Sequence, residues 1–318
     1  MYFKIHNILK VKANVKGIFP SNFLSADENF SDLEIVCNKK LNIEQFRNSL
    51  WEIMPGIYRV EGENIVISQF KILGIKIVIK LEFKKDKIIV EFTPSYKYVS
   101  RMILKMPIAS LYPLEHFLKL VTQIQLLKKG YSFIITAGIV NDGKAILVSG
   151  FGGMGKTSTW KEILKSNDKY KYLGDDTILT DGNRLYSYPK PLRIREFGSV
   201  FFAYENHVDP KCLLKNKVAN NCELEKIIFL ERGKLNRIKS ISKEESTYRI
   251  KAINSKIMPL LSERMILAAY YSGFLNLDEL IRRQDEILEK LINDNSYIAE
   301  SNEYLKTIEL VNKNIKEK

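Results

Sequence analysis

Cysteine is scarce in this sequence of 318 residues, which has only three, Cys37, Cys212 and Cys222. Three are too few for a disulfide framework, and no C-x-x-C pair offers a metal-binding knuckle. Structures that depend on disulfides or on clustered thiolates are therefore excluded. We expect a reducing compartment and predict a cytoplasmic location.

The sequence also lacks a long uninterrupted apolar run. Its most apolar region, Ile65 to Phe83, is broken by Lys71, Lys76 and Lys80, whereas a membrane helix needs about 20 consecutive apolar residues. The first residues alternate lysine with apolar side chains and do not have the pattern of a secretion signal. We therefore predict a soluble protein with no membrane partner.

Acidic residues are outnumbered, with 37 Asp and Glu against 50 Lys and Arg, and the formal net charge is +13. Such an excess suits a polyanionic partner when it is gathered on one face or in one arm. Here the densest clusters, Lys84-Lys85 and Arg282-Arg283, are short and lie beside acids. We interpret the charge mainly as general residue usage, and nucleic-acid binding is the least favoured hypothesis.

Apolar residues make up 45% of the chain, which is enough for a folded core, and the length predicts two domains. Segments rich in β-branched and aromatic residues between Ile57 and Phe92 predict strands, so residues 1–110 are predicted to form a β-rich domain of unknown function. Residues 111–318 are predicted to form a second domain of the α/β (α+β) class, with residues 256–318 mostly helical.

Local signals place elements within the second domain. A helix is predicted to follow Pro113 and to end at Gly130. Short apolar strands come next, with hairpin-type turns at Asn141-Asp142-Gly143 and Asp181-Gly182. Ser242 and Glu245 form an S-x-x-E capping box that predicts the start of a further helix.

The glycine-rich segment 150–157 reads Gly-Phe-Gly-Gly-Met-Gly-Lys-Thr, a full match to G-x-x-x-x-G-K-[ST]. Glycines let the backbone turn its N–H groups onto a phosphate chain, and the helix that follows adds donors. An apolar strand precedes the segment and a helical pattern follows it, as this motif requires. The alternative is a glycine-rich turn that carries Lys-Thr by chance. The predicted phosphate-binding residues are Gly150, Gly152, Gly153, Met154, Gly155, Lys156, Thr157 and Ser158.

Within this loop, Lys156 is predicted to reach the β- and γ-phosphates, and the Thr157 hydroxyl to bind Mg²⁺. Two adjacent carboxylates, Asp175 and Asp176, end the next apolar strand, one helix and one turn later. We expect them at the edge of the sheet where the phosphates lie. One can fix a metal ion while the other accepts a proton from an attacking hydroxyl; a solvated turn is the alternative.

The strings GFGGMGKTS, LGDD, LYSYPKPLRI and LEKIIFLERG together resemble the C-terminal catalytic domain of HPr kinase/phosphorylase and its HPr-kinase-like relatives. The resemblance covers about residues 125–255 and does not extend to the N-terminal third. It implies a P-loop kinase core of the HPr kinase/phosphoenolpyruvate carboxykinase type. It also implies a kinase that uses ATP and Mg²⁺ to phosphorylate a hydroxyl, either a serine of a small protein or peptide or a small-molecule alcohol.

The resemblance also assigns roles. It makes Lys156 the phosphate clamp, Thr157 the magnesium ligand, and Asp175 and Asp176 the acid pair. We assign Asp175 as the base and Asp176 as the metal contact, although the two roles could be exchanged. Arg193 is the candidate for steadying the transferring phosphoryl group or an acidic acceptor, with an exposed basic strand as the alternative.

One position departs from the family, because Thr136 stands where bifunctional members have a histidine in the strand before the loop. Threonine cannot shuttle a proton at neutral pH as imidazole can, so the reverse phosphorylase reaction is in doubt. A second hypothesis is therefore a catalytically weak or inactive nucleotide-binding regulatory protein. His6, His116 and His207 fall outside the motifs and are predicted to have ordinary roles. The sequence identifies neither the acceptor nor the oligomeric state, and a homo-oligomer is one option.

Overall fold

The structure is a computed structural model, and it describes residues 1–15, 18–27, 30–72, 74–103, 114–189, 192–195, 205–208, 214, 217–257, 260 and 263–316. Contacts divide the chain into two units. The first unit comprises Met1–Lys129 and Met258–Arg282, and the second comprises Gly130–Ile257 and Arg283–Lys318. Both units contain strands and helices, so the fold is mixed α/β.

A nine-stranded mixed sheet forms the body of the first unit. Its strands are β1 (Tyr2–Ile5), β2 (Leu9–Ala13), β3 (Leu24–Ser25), β4 (Leu33–Cys37), β5 (Leu50–Met54), β6 (Ile57–Val60), β7 (Ile65–Ile72), β8 (Ile75–Phe83) and β9 (Ile88–Phe92). They lie in the order β3-β1-β2-β4-β9-β8-β7-β6-β5. The strands predicted between Ile57 and Phe92 are confirmed.

The helices of the described residues are α1 (Pro94–Ile103), α2 (Leu114–Lys128), α3 (Lys156–Ser166), α4 (Lys243–Ile257), α5 (Arg264–Tyr271), α6 (Leu277–Leu291) and α7 (Tyr304–Lys316). Short 3-10 helices cover Ser21–Phe23 and Ile43–Ser49. The helix predicted after Pro113 is α2, and Pro113 itself lies outside the described residues. The predicted capping box is also present, because the Glu245 N–H donates to the Ser242 hydroxyl at 3.2 Å.

Helix α2 belongs to the first unit, although the sequence placed it in the second domain. The Gln125 side chain donates to the Asp32 carbonyl at 2.6 Å, and the Phe117 ring meets the Tyr96 ring edge-on at 6.5 Å. These contacts tie the helix to the β4 region and to α1. The predicted domain ranges 1–110 and 111–318 stay a prediction about which parts fold independently.

A second mixed sheet forms the body of the second unit. The strands of this unit are β10 (Ser132–Ile134), β11 (Ala137–Asn141), β12 (Lys144–Ser149), β13 (Lys171–Gly174), β14 (Ile178–Thr180), β15 (Leu185–Tyr186), β16 (Leu192–Arg195), β17 (Glu205–Val208), β18 (Asn221–Glu231), β19 (Arg237–Ile241) and β20 (Ser296–Glu300). The sheet runs β10-β14-β15-β18-β12-β11-β13, with β20 joined to β18 and β19 joined to β20, while β16 and β17 form a separate pair.

Strand β20 is a finding that the sequence did not predict. It lies in the region predicted to be mostly helical, and it pairs in parallel with β18 from Ile227 opposite Ser296 to Glu231 opposite Glu300. A strand of five largely buried residues cannot be told from a buried helical segment by periodicity alone. Helices α6 and α7 lie on either side of it in the chain.

Within the described residues, no helix combines the length and the apolar character that crossing a membrane requires.

The first unit buries a carboxyl group whose protonation affects stability. Glu263 caps α5 by accepting from the Ile266 N–H at 2.8 Å, and burial raises its pKa to about 7. The folded protein therefore holds this proton up to about pH 7, whereas an ordinary glutamate releases it at 4.5. Because the folded state binds more protons in this window, its stability falls as the pH rises from 4.5 to 7, by at most about 3 kcal/mol.

Glu263→Gln keeps an oxygen that can accept the capping hydrogen bond and removes the ionisation. We expect this variant to lose the fall in stability and to be more stable than the wild type above pH 7, as measured by chemical denaturation between pH 4.5 and 8. Glu115→Gln, the same change at an exposed position in the first turn of α2, is the matched control. Parallel stability profiles for Glu263→Gln and the wild type would contradict the prediction.

Candidate active site

Three strands bring the glycine-rich loop and the acid pair to the same edge of the sheet. Strand β11 pairs antiparallel with both β12 and β13, so β12 and β13 run parallel with one strand between them. The carboxyl ends of β12 and β13 therefore point to the same edge. The glycine-rich loop follows β12, and Asp175 and Asp176 follow β13.

The turn between β11 and β12 has the predicted chemistry. Asn141 lies opposite Lys144, and the two residues between them, Asp142 and Gly143, have φ values of 49° and 76°. A tight hairpin of this kind needs positive φ at both central positions, which favours an aspartate or asparagine followed by glycine. The turn thereby fixes the register of β12, the strand that leads into the loop.

The glycine-rich loop uses its glycines for different reasons. Gly150, Gly153 and Gly155 have positive φ values of 149°, 81° and 92°. Gly150 also lies close to strand β18, because a Cβ there would be 3.1 Å from the Leu230 carbonyl oxygen. A Cβ at Gly152 would meet none of the described residues within 4 Å. Gly155 is the N-cap of α3, so the loop delivers Lys156, Thr157 and Ser158 into the first helical turn.

Lys156 lies across the loop from which it emerges. Its side chain is buried, and Nζ donates to the carbonyl oxygens of Gly150 at 2.9 Å and Phe151 at 3.2 Å. The same atom lies 3.7 Å from Oδ1 of Asp176. The only side-chain cation in the motif is thus positioned between the loop backbone and the acid pair.

The hydroxyl of Thr157 joins the loop to the other aspartate. It lies 3.0 Å from Oδ1 and 2.9 Å from Oδ2 of Asp175 and donates to that carboxylate. Burial, followed by the charge of Asp176, raises the pKa of Asp175 to about 6. Asp176 has a different environment, with a backbone φ of 56° and a side chain that is 66% exposed. Neighbouring acids in the sequence therefore occupy unlike positions in the structure.

The donor set fits magnesium. Mg²⁺ prefers oxygen ligands and is usually held by one or two carboxylates together with substrate phosphates. Thr157 with one of the two aspartates supplies such ligands at the start of α3, beside the loop. Among the described residues, no group of three or more His, Cys, Asp or Glu side chains is arranged to hold a metal ion.

Some predicted residues lie elsewhere or outside the described chain. Arg193 lies on β16, opposite His207 of β17, in a separate two-stranded sheet. Its role in the site stays a prediction. The Tyr and Phe residues from Phe197 to Tyr204, which the sequence suggests for core packing or for stacking on a base, lie outside the described residues.

Thr136 is fully buried, and its hydroxyl donates to the Val148 carbonyl at 3.0 Å. The side chain at this position is therefore used to bond the neighbouring strand. His6 packs its ring edge-on against Phe23, at a centroid distance of 5.2 Å, in the first unit. His116 lies on α2 of the same unit.

Two aromatic residues next to the acid pair were not singled out from the sequence. The rings of Trp160 and Tyr172 lie 4.8 Å apart at an angle of 50°, in the core cluster between α3 and the sheet. Trp160 is one helical turn after Thr157, on the same side of α3. That spacing was visible in the sequence, in which Trp160 is one of only two tryptophans.

No protein-family model matches the chain, and no curated protein matches it. Solved structures do match, among them the Hpr(Ser) kinase/phosphatase from Coxiella burnetii, at 17% identity and a TM-score of 0.25. That alignment covers 35% of this chain and 78% of the other. Likeness at this level carries no argument about chemistry, so the interpretation of the site depends on its own geometry.

A close backbone approach holds the acid pair in place and gives a testable expectation. A Cβ at Gly174 would lie 2.6 Å from the Thr177 carbonyl oxygen and 2.9 Å from Cγ1 of Ile178. We expect Gly174→Ala to destabilise the protein by about 1–3 kcal/mol, because the turn that carries Asp175 must shift. Gly152→Ala is the matched control and should unfold near the wild-type temperature. Equal melting temperatures for the two variants would rule out the close approach.

Proposed function

We propose that this chain is an ATP-dependent phosphotransferase. With Mg²⁺, it moves the γ-phosphoryl group of ATP to a hydroxyl, either a serine of a small protein or peptide or a small-molecule alcohol. One observation carries the proposal: the hydroxyl of Thr157 meets the carboxylate of Asp175 at the point where the glycine-rich loop enters α3. This contact joins a phosphate-binding element to an acid pair, the combination that phosphoryl transfer uses.

The loop and Lys156 supply the binding part of this proposal. Backbone N–H groups of the loop and of the first turn of α3 are suited to a polyphosphate, because they offer many donors and the positive end of a helix dipole. Lys156 folds back over this loop and would supply positive charge to the transferring oxygens. Bound Mg²⁺ would add neutralisation of the β- and γ-phosphate oxygens.

The contacts support an exchange of the two aspartate roles that the sequence left open. Asp175 touches Thr157, the expected metal ligand, so we propose Asp175 as the metal-side acid. Asp176 is the more exposed and lies beside Lys156, so we propose it as the base. The raised pKa of Asp175 favours the original assignment, since a base works best near the operating pH. We give the contact more weight, because a cation bound beside Asp175 would lower that pKa.

The proposed chemistry needs little more than alignment. The acceptor oxygen forms a bond to the γ-phosphorus while the bond to the β–γ bridging oxygen breaks and ADP leaves. The proton of the acceptor hydroxyl passes to the Asp176 carboxylate. Holding donor and acceptor in line, with charge neutralised, supplies most of the acceleration for transfers of this kind.

A second candidate is a nucleotide-binding regulatory protein with weak or absent turnover. The observation in its favour is Thr136, which is buried and bonded to the Val148 carbonyl at the position that the resembled family uses for a histidine. On this hypothesis the loop binds nucleotide, and binding alone is the output. Both candidate functions use the loop to bind nucleotide, and they differ in whether the γ-phosphoryl group is transferred from ATP to an acceptor.

Lys156→Ala tests the phosphate site. We expect at least a tenfold loss of Mg-ATP affinity by calorimetry, because the loop loses its cation. Label transfer from γ-labelled ATP into kinase-inactivated lysate or a metabolite extract should disappear with it. Lys165→Ala is the control, since this exposed lysine lies at the other end of α3 and pairs with Glu162.

Wild-type affinity in Lys156→Ala would remove the phosphate site from the proposal. Nucleotide binding by the wild type with no transfer to any protein or metabolite fraction would favour the regulatory candidate instead.

Asparagine substitutions separate the two aspartates. Asp175→Asn should weaken ATP binding mainly in the presence of Mg²⁺, because it removes a metal-side carboxylate. Asp176→Asn should leave Mg-ATP affinity within about threefold and lower the rate of transfer by at least about a hundredfold, because the base is lost. Calorimetry with and without Mg²⁺, together with single-turnover transfer, measures both effects. The opposite pattern would restore the original assignment.

A further inference from the structure

Two buried polar atoms beside the acid pair have no hydrogen-bond partner among the described residues. They are Nε1 of Trp160 and the hydroxyl of Tyr172, on side chains that are 1% and 0% exposed. Leaving a buried donor unpaired costs about 1–3 kcal/mol. Phenylalanine rings could fill much of the same space without that cost, so packing alone does not account for the two polar atoms.

Both side chains lie next to the contact between Thr157 and Asp175. Trp160 follows Thr157 by one turn of α3, and Tyr172 is on β13, the strand that leads into Asp175. Their rings touch, at 4.8 Å between centroids. The indole of Trp160 is close enough to Asp175 to lower the pKa of that carboxyl, while burial raises it. Burial, followed by the charges of Asp175 and Asp176, raises the pKa of Tyr172.

The Asp175 carboxylate can supply the hydrogen-bond acceptors that these two donors need. A carboxylate offers about four lone-pair sites, and the Thr157 hydroxyl supplies a single proton. The ammonium group of Lys156 pairs with the other aspartate, at 3.7 Å. The Asp175 carboxylate can therefore accept further hydrogen bonds besides the one from Thr157.

We propose that Trp160 and Tyr172 form an aromatic donor pair that positions the Asp175 carboxylate toward Thr157. They are positioning residues, acting through Asp175. The inference rests on the proposed function for its catalytic meaning, while the contact itself can be tested without nucleotide. Groups that orient a metal ligand commonly change metal affinity or activity by about 10- to 100-fold when they are removed.

The indole N–H signals give a direct test of the contact. In protein labelled with ¹⁵N at the indole nitrogens, Trp51 and Trp160 each give one signal, and the exposed Trp51 of the first unit serves as the internal reference. We expect Asp175→Asn to move the Trp160 signal and to speed its exchange with solvent, while the Trp51 signal stays in place. A Trp160 signal that does not respond would overturn the proposal.

Substitutions that remove a single donor test the positioning role. Tyr172→Phe removes one oxygen, and benzothienylalanine at position 160, in a Trp51→Phe background, replaces the N–H with sulfur while the ring size is kept. We expect about tenfold weaker Mg-ATP binding for each, with a melting temperature at most a few degrees below that of its parent, because one hydrogen bond is lost while the ring stays in place. Tyr96→Phe, the same one-atom change at a buried tyrosine of the first unit, should bind Mg-ATP like the wild type.

The outcomes separate this inference from the proposed function. Unchanged Mg-ATP affinity in both donor-deleted proteins would overturn the positioning role. A wild type that binds no nucleotide, but whose Trp160 signal responds to Asp175→Asn, would refute the proposed function and support the donor contact. Weaker Mg-ATP binding in Tyr96→Phe as well, or a large fall in the melting temperature of the donor-deleted proteins, would point to lost packing and count against the proposal.

Discussion

The hydrogen bond between Thr157 and Asp175 depends on strand β11. This strand lies between β12, which leads into the glycine-rich loop, and β13, which leads into Asp175. Because β11 pairs antiparallel with β12 and β13, both of those strands end at the same edge of the sheet. A register shift of one residue would exchange the two faces of a strand and move the acids away from the loop. The glycine turn at Gly143 and the close approach at Gly174 help to hold that register.

The acid pair shows how two identical side chains acquire different chemistry from their surroundings. Asp175 is partly buried and accepts a hydrogen bond from the Thr157 hydroxyl of α3, whereas Asp176 extends from a backbone of positive φ toward solvent and Lys156. Burial, followed by the charge of Asp176, raises the pKa of Asp175. Their separate environments give a physical basis for the proposed division of roles between metal binding and proton transfer.

Much of the local architecture could be predicted from the sequence, because turn, cap and loop signals are short-range. The turn at Gly143, the cap at Ser242 and the start of α3 at Lys156 are examples. Long-range pairings were not predictable. Nothing in the pattern of Ser296–Glu300 indicates its pairing with β18, and no local rule selects which aspartate meets Thr157. Sequence reasoning missed Trp160 and Tyr172 for the same reason, because their position beside Asp175 depends on how α3 packs against β13.

Lys156 already has oxygen partners of its own, the carbonyls of Gly150 and Phe151. Any anion that binds the loop through this lysine must therefore exchange with those carbonyls, and its affinity reflects the difference between the two sets of contacts. A small singly charged anion gains little from such an exchange, whereas a polyphosphate gains contacts along the whole loop. On the proposed function, the folded-back lysine would therefore favour a polyphosphate over chloride and other simple anions.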